Sequence, residues 1–225
     1  SSTFSPEALS GYHLPWVKGK IMYLTGSISH DTWITSKSAH YAFDFSSSPA
    51  DLWPIHAAKA GYVYTYRDDV INGNPDETNF IVLRMPYGDP LTDSDDLFQV
   101  YLHLAQYSIP AEFKVTGAIV AQGQYIGTAD DTGMSTNHHL HFHVGGKPYW
   151  PEDNPYWSVA LDMVFEEVDI YGGRPRLIWE YDEEICGGKC IYGRDYYVSD
   201  NERVGDLVPP YGDLSGINTG AIVTQ

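Results

Sequence analysis

Histidines alternate with apolar residues over one short stretch of the chain, His138-His139-Leu140-His141-Phe142-His143-Val144. Side chains alternate between two faces along a β-strand, so His139, His141 and His143 would share one face while the apolar residues enter a core. Three imidazolium ions on one face would repel one another, so a shared metal ion or strongly lowered pKa values are natural reasons for the arrangement. An exposed strand that binds metal only adventitiously is the inert alternative.

Short β-type runs between turn-forming residues recur along the chain, without long helical periodicity. We therefore predict an all-β fold with mainly antiparallel sheets and a C-terminal extension. The predicted strands are Ile21–Thr25, Tyr41–Phe45, Ile55–Tyr66, Asn79–Met85, Phe98–Leu104, Ala118–Ala121, Tyr125–Ala129, His139–Val144, Val159–Phe165 and Leu177–Tyr181.

The distribution of histidine divides the chain into two parts. The 225 residues suffice for one substantial domain with an appendage, and no histidine occurs after Trp150-Pro151. We place a boundary there, with a main domain at 1–150 and a partly β extension of unassigned role at 151–225. Within the extension, Cys186 and Cys190 either form a small local disulfide or remain free thiols.

The charge of the chain excludes several classes of function. The formal net charge is −17, which argues against nucleic-acid binding and against attachment to an anionic membrane surface. No apolar run is long enough to span a membrane. The acidic loop Asp89–Asp96 lacks the pattern of a calcium-binding loop, and we interpret it as a solvated surface loop. The start at Ser-Ser-Thr-Phe, without an initiator Met, is compatible with an exported, processed protein.

Two further segments can contribute to a metal site. His40 and Asp44 lie four residues apart in His40-Tyr41-Ala42-Phe43-Asp44, which is about 13 Å along a straight strand. Both can reach one ion only if the segment bends or bulges. His103, in Tyr101-Leu102-His103-Leu104, alternates with apolar neighbours and can point into a site. Two imidazoles and one carboxylate are a common catalytic zinc set that leaves a position for water.

These motifs, in this order, resemble the lysostaphin-type zinc endopeptidases, which include the β-lytic enzymes. The resemblance extends to the strands around Pro54–Gly61 and Asn79–Leu83, to the hairpin Val115–Gly127, and to Gly133–Thr136 before the histidine strand. It covers roughly residues 12–147. We therefore expect the fold of that family for the main domain.

The resemblance implies a role for each matching residue. It assigns zinc to His40, Asp44 and His141, and it makes His103 and His139 the two histidines that serve the reaction without binding the metal. His30, in Ser29-His30-Asp31, is an alternative first ligand.

Two other histidines depart from the family pattern. His143 stands where the family often has Glu or Gln, and it is either a group that supports a ligand or an extra surface histidine. His138 replaces a usual Pro, and we interpret it as exposed.

The resemblance implies a secreted zinc metalloendopeptidase, located outside the cell or in the cell envelope, that hydrolyses short peptide cross-links of bacterial peptidoglycan. The first alternative is a non-catalytic, zinc-containing binding or structural module of the same fold, which the acidic charge favours. A carbohydrate-binding β-sandwich, suggested by 18 Tyr and 6 Trp, ranks last because it leaves the ordered histidine motifs unexplained.

Overall fold

The computed structural model describes residues 8–27, 40–47, 49–86, 96–146, 159–175 and 196–205. The predicted all-β fold is confirmed: these residues form twelve strands and one short 3₁₀ turn at Ala111–Phe113, with no α-helix among them. The strands are β1 (Leu9–Tyr12), β2 (Ile21–Gly26), β3 (Phe43–Ser46), β4 (Trp53–His56), β5 (Gly61–Arg67), β6 (Phe80–Met85), β7 (Leu97–Leu102), β8 (Ile119–Val120), β9 (Tyr125–Ala129), β10 (Leu140–Gly145), β11 (Met163–Phe165) and β12 (Tyr196–Val198).

Eight strands form one sheet in the order β12-β2-β3-β10-β7-β6-β5-β8, and all its pairs are antiparallel. Strands β4 and β9 form a separate antiparallel pair, and β1 and β11 form a parallel pair. The predicted single strand Ile55–Tyr66 is wrong, because a turn at 57–60 separates β4 from β5 and sends them to different sheets.

The register of β10 decides which residues share a face. Directly opposite residues of antiparallel strands lie on the same side of a sheet. His141 lies opposite Asp44 on β3 and opposite Leu102 on β7, and His143 lies opposite Val100. These histidines therefore share a face with a small apolar cluster, which consists of Phe80, Val82, Phe98, Val100 and Leu102.

The opposite face of the sheet carries the main core. Phe43, Tyr101 and Phe142 enter it together with side chains of the two smaller sheets, such as Ile55 and Ile126. The apolar half of the alternating stretch thus anchors β10 from behind, while its histidines remain on the other face. Because the apolar side chains of β10 face the core, its histidines are available on the opposite face of the sheet, where the candidate site lies.

Two strands come from the segment beyond residue 150. Strand β11 pairs with β1, and β12 pairs with β2 at the edge of the large sheet. Phe165 of β11 is buried in the main core, with ring centroids 5.4 Å from Phe43 and 5.9 Å from Phe142. The described part of the extension therefore packs directly behind the strands that carry Asp44 and His141.

Several predicted features lie outside the described residues. These are His30, Cys186 with Cys190, the strand Leu177–Tyr181, and the acidic loop up to residue 95. Asp96, the last residue of that loop, is described: it is buried and forms an ion pair with Arg84 on β6. At this residue the interpretation as a solvated loop is wrong, because the guanidinium group compensates the buried carboxylate.

Candidate metal and catalytic site

Asp44 and His141 meet across the β3–β10 pair. Asp44 Oδ1 lies 3.0 Å from His141 Nδ1, because the two residues are directly opposite in register. Two ligand atoms on one zinc ion, with bonds of about 2.0–2.1 Å, are separated by a similar distance. The carboxylate and imidazole donors therefore fit two positions of a zinc coordination shell.

His40 lies in the turn that precedes β3. This turn, at residues 40–41, replaces the first part of the predicted strand Tyr41–Phe45, so the chain bends before it reaches Asp44. The His40 ring packs edge-on against Tyr41, with the ring centroids 4.8 Å apart. His40 and Asp44 can bind one ion only if the segment between them bends, and this turn provides a bend. His40 remains the predicted third ligand.

A glycine makes room for the Asp44 carboxylate. Gly26, the last residue of β2, lies opposite Asp44 at a register shift between the two strands. A Cβ atom at Gly26 would stand 2.6 Å from Asp44 Oδ2, inside contact distance. Gly26 was not among the candidate residues, although a glycine within a strand run is a signal of close approach by another group.

His103 joins the site through an unusual backbone conformation. Strand alternation places Leu102 on the His141 face, so His103 would otherwise point to the opposite side. The chain leaves β7 with φ of +66° at His103, and its ring comes to 4.6 Å from that of His139 and 6.2 Å from that of His141. We predicted from strand alternation that His103 points into the site. His103 does lie beside His139 and His141, but the backbone turn places it there and not the alternation. This left-handed conformation is costly for a residue with a Cβ atom.

The protonation of His103 follows from its surroundings. Nδ1 lies 2.7 Å from the carbonyl oxygen of Thr132, which can only accept, so Nδ1 carries the proton of the neutral ring and Nε2 keeps a lone pair. Burial, together with the neighbouring His139 and His141, lowers the pKa of His103 to about 3, against the opposing effects of the Thr132 bond and of Asp44. The ring is therefore neutral near pH 7.

His139 stands at the mouth of the site. Its Nδ1 lies 2.9 Å from the carbonyl oxygen of Asn137 and 3.0 Å from Ser135 Oγ, so the bond to the carbonyl places the proton of the neutral ring on Nδ1. Its Nε2 atom faces Asp44 Oδ1 at 3.9 Å. The lone pair of the neutral His139 ring is therefore on Nε2, and His139 is more exposed to solvent than His103.

His143 supports His141 from behind. His141 Nε2 lies 3.0 Å from His143 Nδ1, and both side chains are almost completely buried. One of these nitrogens must donate, so the contact fixes the ring of His141 while its Nδ1 faces Asp44. The interpretation of His143 as a group that supports a ligand agrees with this contact. The interpretation as an extra surface histidine is wrong, because His143 is buried.

The structure thus brings Asp44, His103, His139 and His141 into one group and places His40 in the adjoining turn. His138, interpreted as exposed, is instead half-buried, and its Nδ1 lies 2.8 Å from Asp130 Oδ1.

Within the described residues, no helix is long and apolar enough to cross a membrane.

One protein family matches the segment that contains these residues. The sequence model of peptidase family M23 matches residues 38–151, a range that contains all five predicted site residues. No match was found among curated protein sequences.

Similar solved structures include the antimicrobial peptidase lysostaphin from Staphylococcus simulans, with 22% identity over 68% of this chain and 53% of that chain and a TM-score of 0.40. A zinc-containing peptidase from Vibrio cholerae has 20% identity over 63% of this chain and 34% of that chain, with a TM-score of 0.34. A chain from a complex of SpoIIIAH and SpoIIQ has 19% identity over 68% of this chain and 96% of that chain, with a TM-score of 0.41. The match to the family model spans just over half of the sequence, and the chain belongs to peptidase family M23.

Proposed function

We propose that this chain is a secreted zinc metalloendopeptidase that hydrolyses short peptide cross-links, with bacterial peptidoglycan as its substrate. The observation that carries the proposal is the convergence of Asp44, His103, His139 and His141 on one face of the sheet, inside the segment that matches a peptidase family. His40, Asp44 and His141 are the proposed ligands. Zinc bound there supplies a Lewis acid for the scissile carbonyl and for water.

The two remaining histidines each present a ring nitrogen with a lone pair. Both hold their Nδ1 proton against a backbone carbonyl, so each has Nε2 available to accept a hydrogen bond from water. His103 is buried and fixed, which suits it to orient water and the substrate oxygen, whereas the more exposed His139 can pass a proton to the leaving amine. Their ring centroids are only 4.6 Å apart, so both can act on one peptide bond.

Release of amines from pentaglycine and from purified peptidoglycan tests the proposal. The zinc-loaded protein should hydrolyse at least one of these substrates, a chelator should stop the reaction, and His139→Ala should lower kcat by about 100-fold or more. His13→Ala is the matched control, since His13 pairs with Glu167 and belongs to no part of the group above. Zinc-loaded protein that is inert on both substrates, or a His139→Ala variant with full activity, would contradict the proposal.

The net charge of −17 favours a second candidate, a non-catalytic module of the same fold. An acidic protein is repelled by anionic polymers of a bacterial wall, which does not help an enzyme that must reach its substrate there. Under this alternative, removal of His103 or His139 leaves the biological role unchanged, whereas under the first it abolishes that role.

A further inference from the structure

Three potential metal ligands lie together at the base of the loop between β9 and β10. Asp130 and Asp131 directly follow β9, and His138 ends the loop two residues before β10. The backbones of Asp130 and His139 pair as an antiparallel bridge, which brings the two ends of the loop side by side. As a result, one donor atom from each of Asp130, Asp131 and His138 can be chosen so that all three lie within 4.8 Å of one another.

Each of the three side chains is oriented by a specific contact. Asp130 Oδ1 lies 2.8 Å from His138 Nδ1, a spacing compatible with two ligands of one ion. Asp131 Oδ1 accepts a hydrogen bond of 2.8 Å from the amide of Gly73 in the neighbouring turn. The site is therefore built by the β9–β10 loop and held in place by a second turn.

Asp130 carries a buried oxygen that lacks a donor. Its side chain is only 1% exposed, and Oδ2 receives no hydrogen bond from any residue in the described ranges. An ionised carboxylate oxygen that is removed from water without a donor is destabilising, because the hydration it loses is not replaced. This atom points to a positively charged partner.

The charges of Asp130 and Asp131 also favour a positively charged partner. Burial and the adjacent Asp131 side chain raise the pKa of Asp130 to about 7, against the opposing effects of His138 and of a hydrogen bond from the Asp131 backbone. Two adjacent carboxylates in a partly buried site either share a proton or bind a cation, and a divalent cation neutralises both.

We propose that Asp130, Asp131 and His138 form a second metal site, distinct from the one at Asp44 and His141, that binds a divalent first-row transition-metal ion such as zinc. The donor set of two carboxylates and one imidazole favours such an ion over calcium or magnesium, which prefer oxygen ligands alone. Asp131 and His138 are only half-buried, so the ion can enter from solvent and complete its shell with water.

The proposed ion has a structural consequence for the catalytic group. It ties together the two ends of the loop that contains Ser135 and Asn137, the two residues that contact His139 Nδ1. His139 directly follows the ligand His138. The second ion would therefore act as a positioning element for His139, beyond the peptidase chemistry proposed above.

Metal counting by mass spectrometry after zinc loading and desalting tests the proposal. The wild-type protein should retain about two zinc ions per chain, and Asp131→Asn, His138→Gln and His141→Ala should each retain about one. Asp76→Asn is the matched control, because Asp76 is an exposed carboxylate in the turn beside Gly73 and should leave the count at about two. The count requires no substrate, so its failure is separate from a failure of the proposed activity.

A wild-type protein with about one zinc ion, lost in His141→Ala and kept in Asp131→Asn, would overturn the proposal and leave the two carboxylates sharing a proton. If the Asp131 and His138 variants do not fold, hydrogen exchange of His141→Ala with and without zinc decides the question. Slower exchange of the amides of 131–139 on zinc addition supports the second site, and unchanged exchange overturns it.

Discussion

At the scale of single residues, the site depends on side chains that do not themselves carry chemistry. Gly26 leaves space for Asp44, and His143 holds the ring of His141. Supporting groups of this kind determine whether ligand atoms stand at the right distance and angle for a metal ion.

Gly26→Ala is expected to displace the Asp44 carboxylate, since its Cβ would come within 2.6 Å of Oδ2. Zinc affinity at the first site should fall by about 10- to 100-fold, measured by competition with a chromophoric chelator. Gly19→Ala is the matched control: Gly19 has no heavy atom within 4 Å of an added Cβ, and its positive φ gives a similar or larger backbone strain. Equal zinc affinity in both variants would show that Gly26 does not shape the ligand position.

His143→Ala should lower zinc affinity at the first site by about 10- to 100-fold, because His141 Nε2 loses the partner that fixes the ring. His143→Gln retains a hydrogen-bonding group and should recover most of the affinity. A purely structural role predicts a different result, in which both variants lower the unfolding temperature while zinc affinity in the folded protein stays at the wild-type value.

At the scale of elements, the described part of the C-terminal extension behaves as part of the sheet framework. Strand β11 pairs with β1, and its Phe165 contacts the rings of Phe43, Phe45 and Phe142 in the main core. We propose that the boundary at residue 150 does not separate independent folding units, since the strands carrying Asp44 and His141 rest on this aromatic group.

Phe165→Ala should therefore lower the free energy of unfolding by about 3–5 kcal/mol, the usual effect of removing a buried aromatic ring. Val159→Ala, at an exposed position of the same segment, should change it by less than about 0.5 kcal/mol. Urea denaturation measures both. An effect of Phe165→Ala as small as that of Val159→Ala would mean that the extension is dispensable for the core.

The elements that could be predicted from the sequence are those whose residue pattern is visible within a few neighbouring positions. The alternation in His139–Val144 indicated a strand and its two faces, and β10 has both. The left-handed turn at His103, the bend at His40 and the pairing of β11 and β12 with distant strands depend on contacts between residues far apart in the chain. The same holds for Asp130 and His138, which meet because of register and which no local pattern relates.

At the scale of the whole molecule, buried histidines couple stability to pH. His56 lies in the interior, where burial lowers its pKa to about 4, against the opposing effect of its bond to the Gly123 carbonyl. An unfolded histidine has a pKa of about 6.5, so between these values the unfolded chain binds more protons. The contribution of His56 to stability is complete above about pH 6.5 and is lost as the pH falls towards about 4.

His56→Asn tests this coupling, because the asparagine amide can donate to the Gly123 carbonyl in place of Nδ1 and does not titrate. The slope of unfolding free energy against pH, measured in urea between about pH 4 and 6.5, should decrease by up to about 1.4 kcal/mol per pH unit. An unchanged slope would show that His56 titrates equally in both states. The comparison of slopes is independent of any overall loss of stability in the variant.

We propose that His40, Asp44 and His141 hold a zinc ion beside His103 and His139. Anomalous diffraction at the zinc edge, from crystals of the zinc-loaded protein, locates this ion and its ligands. We expect a zinc peak bonded to these three side chains at about 2.0–2.2 Å, with His103 and His139 close by but not bonded. The absence of a zinc peak between Asp44 and His141, or a peak there that is bonded to His30 in place of His40, would contradict this proposal.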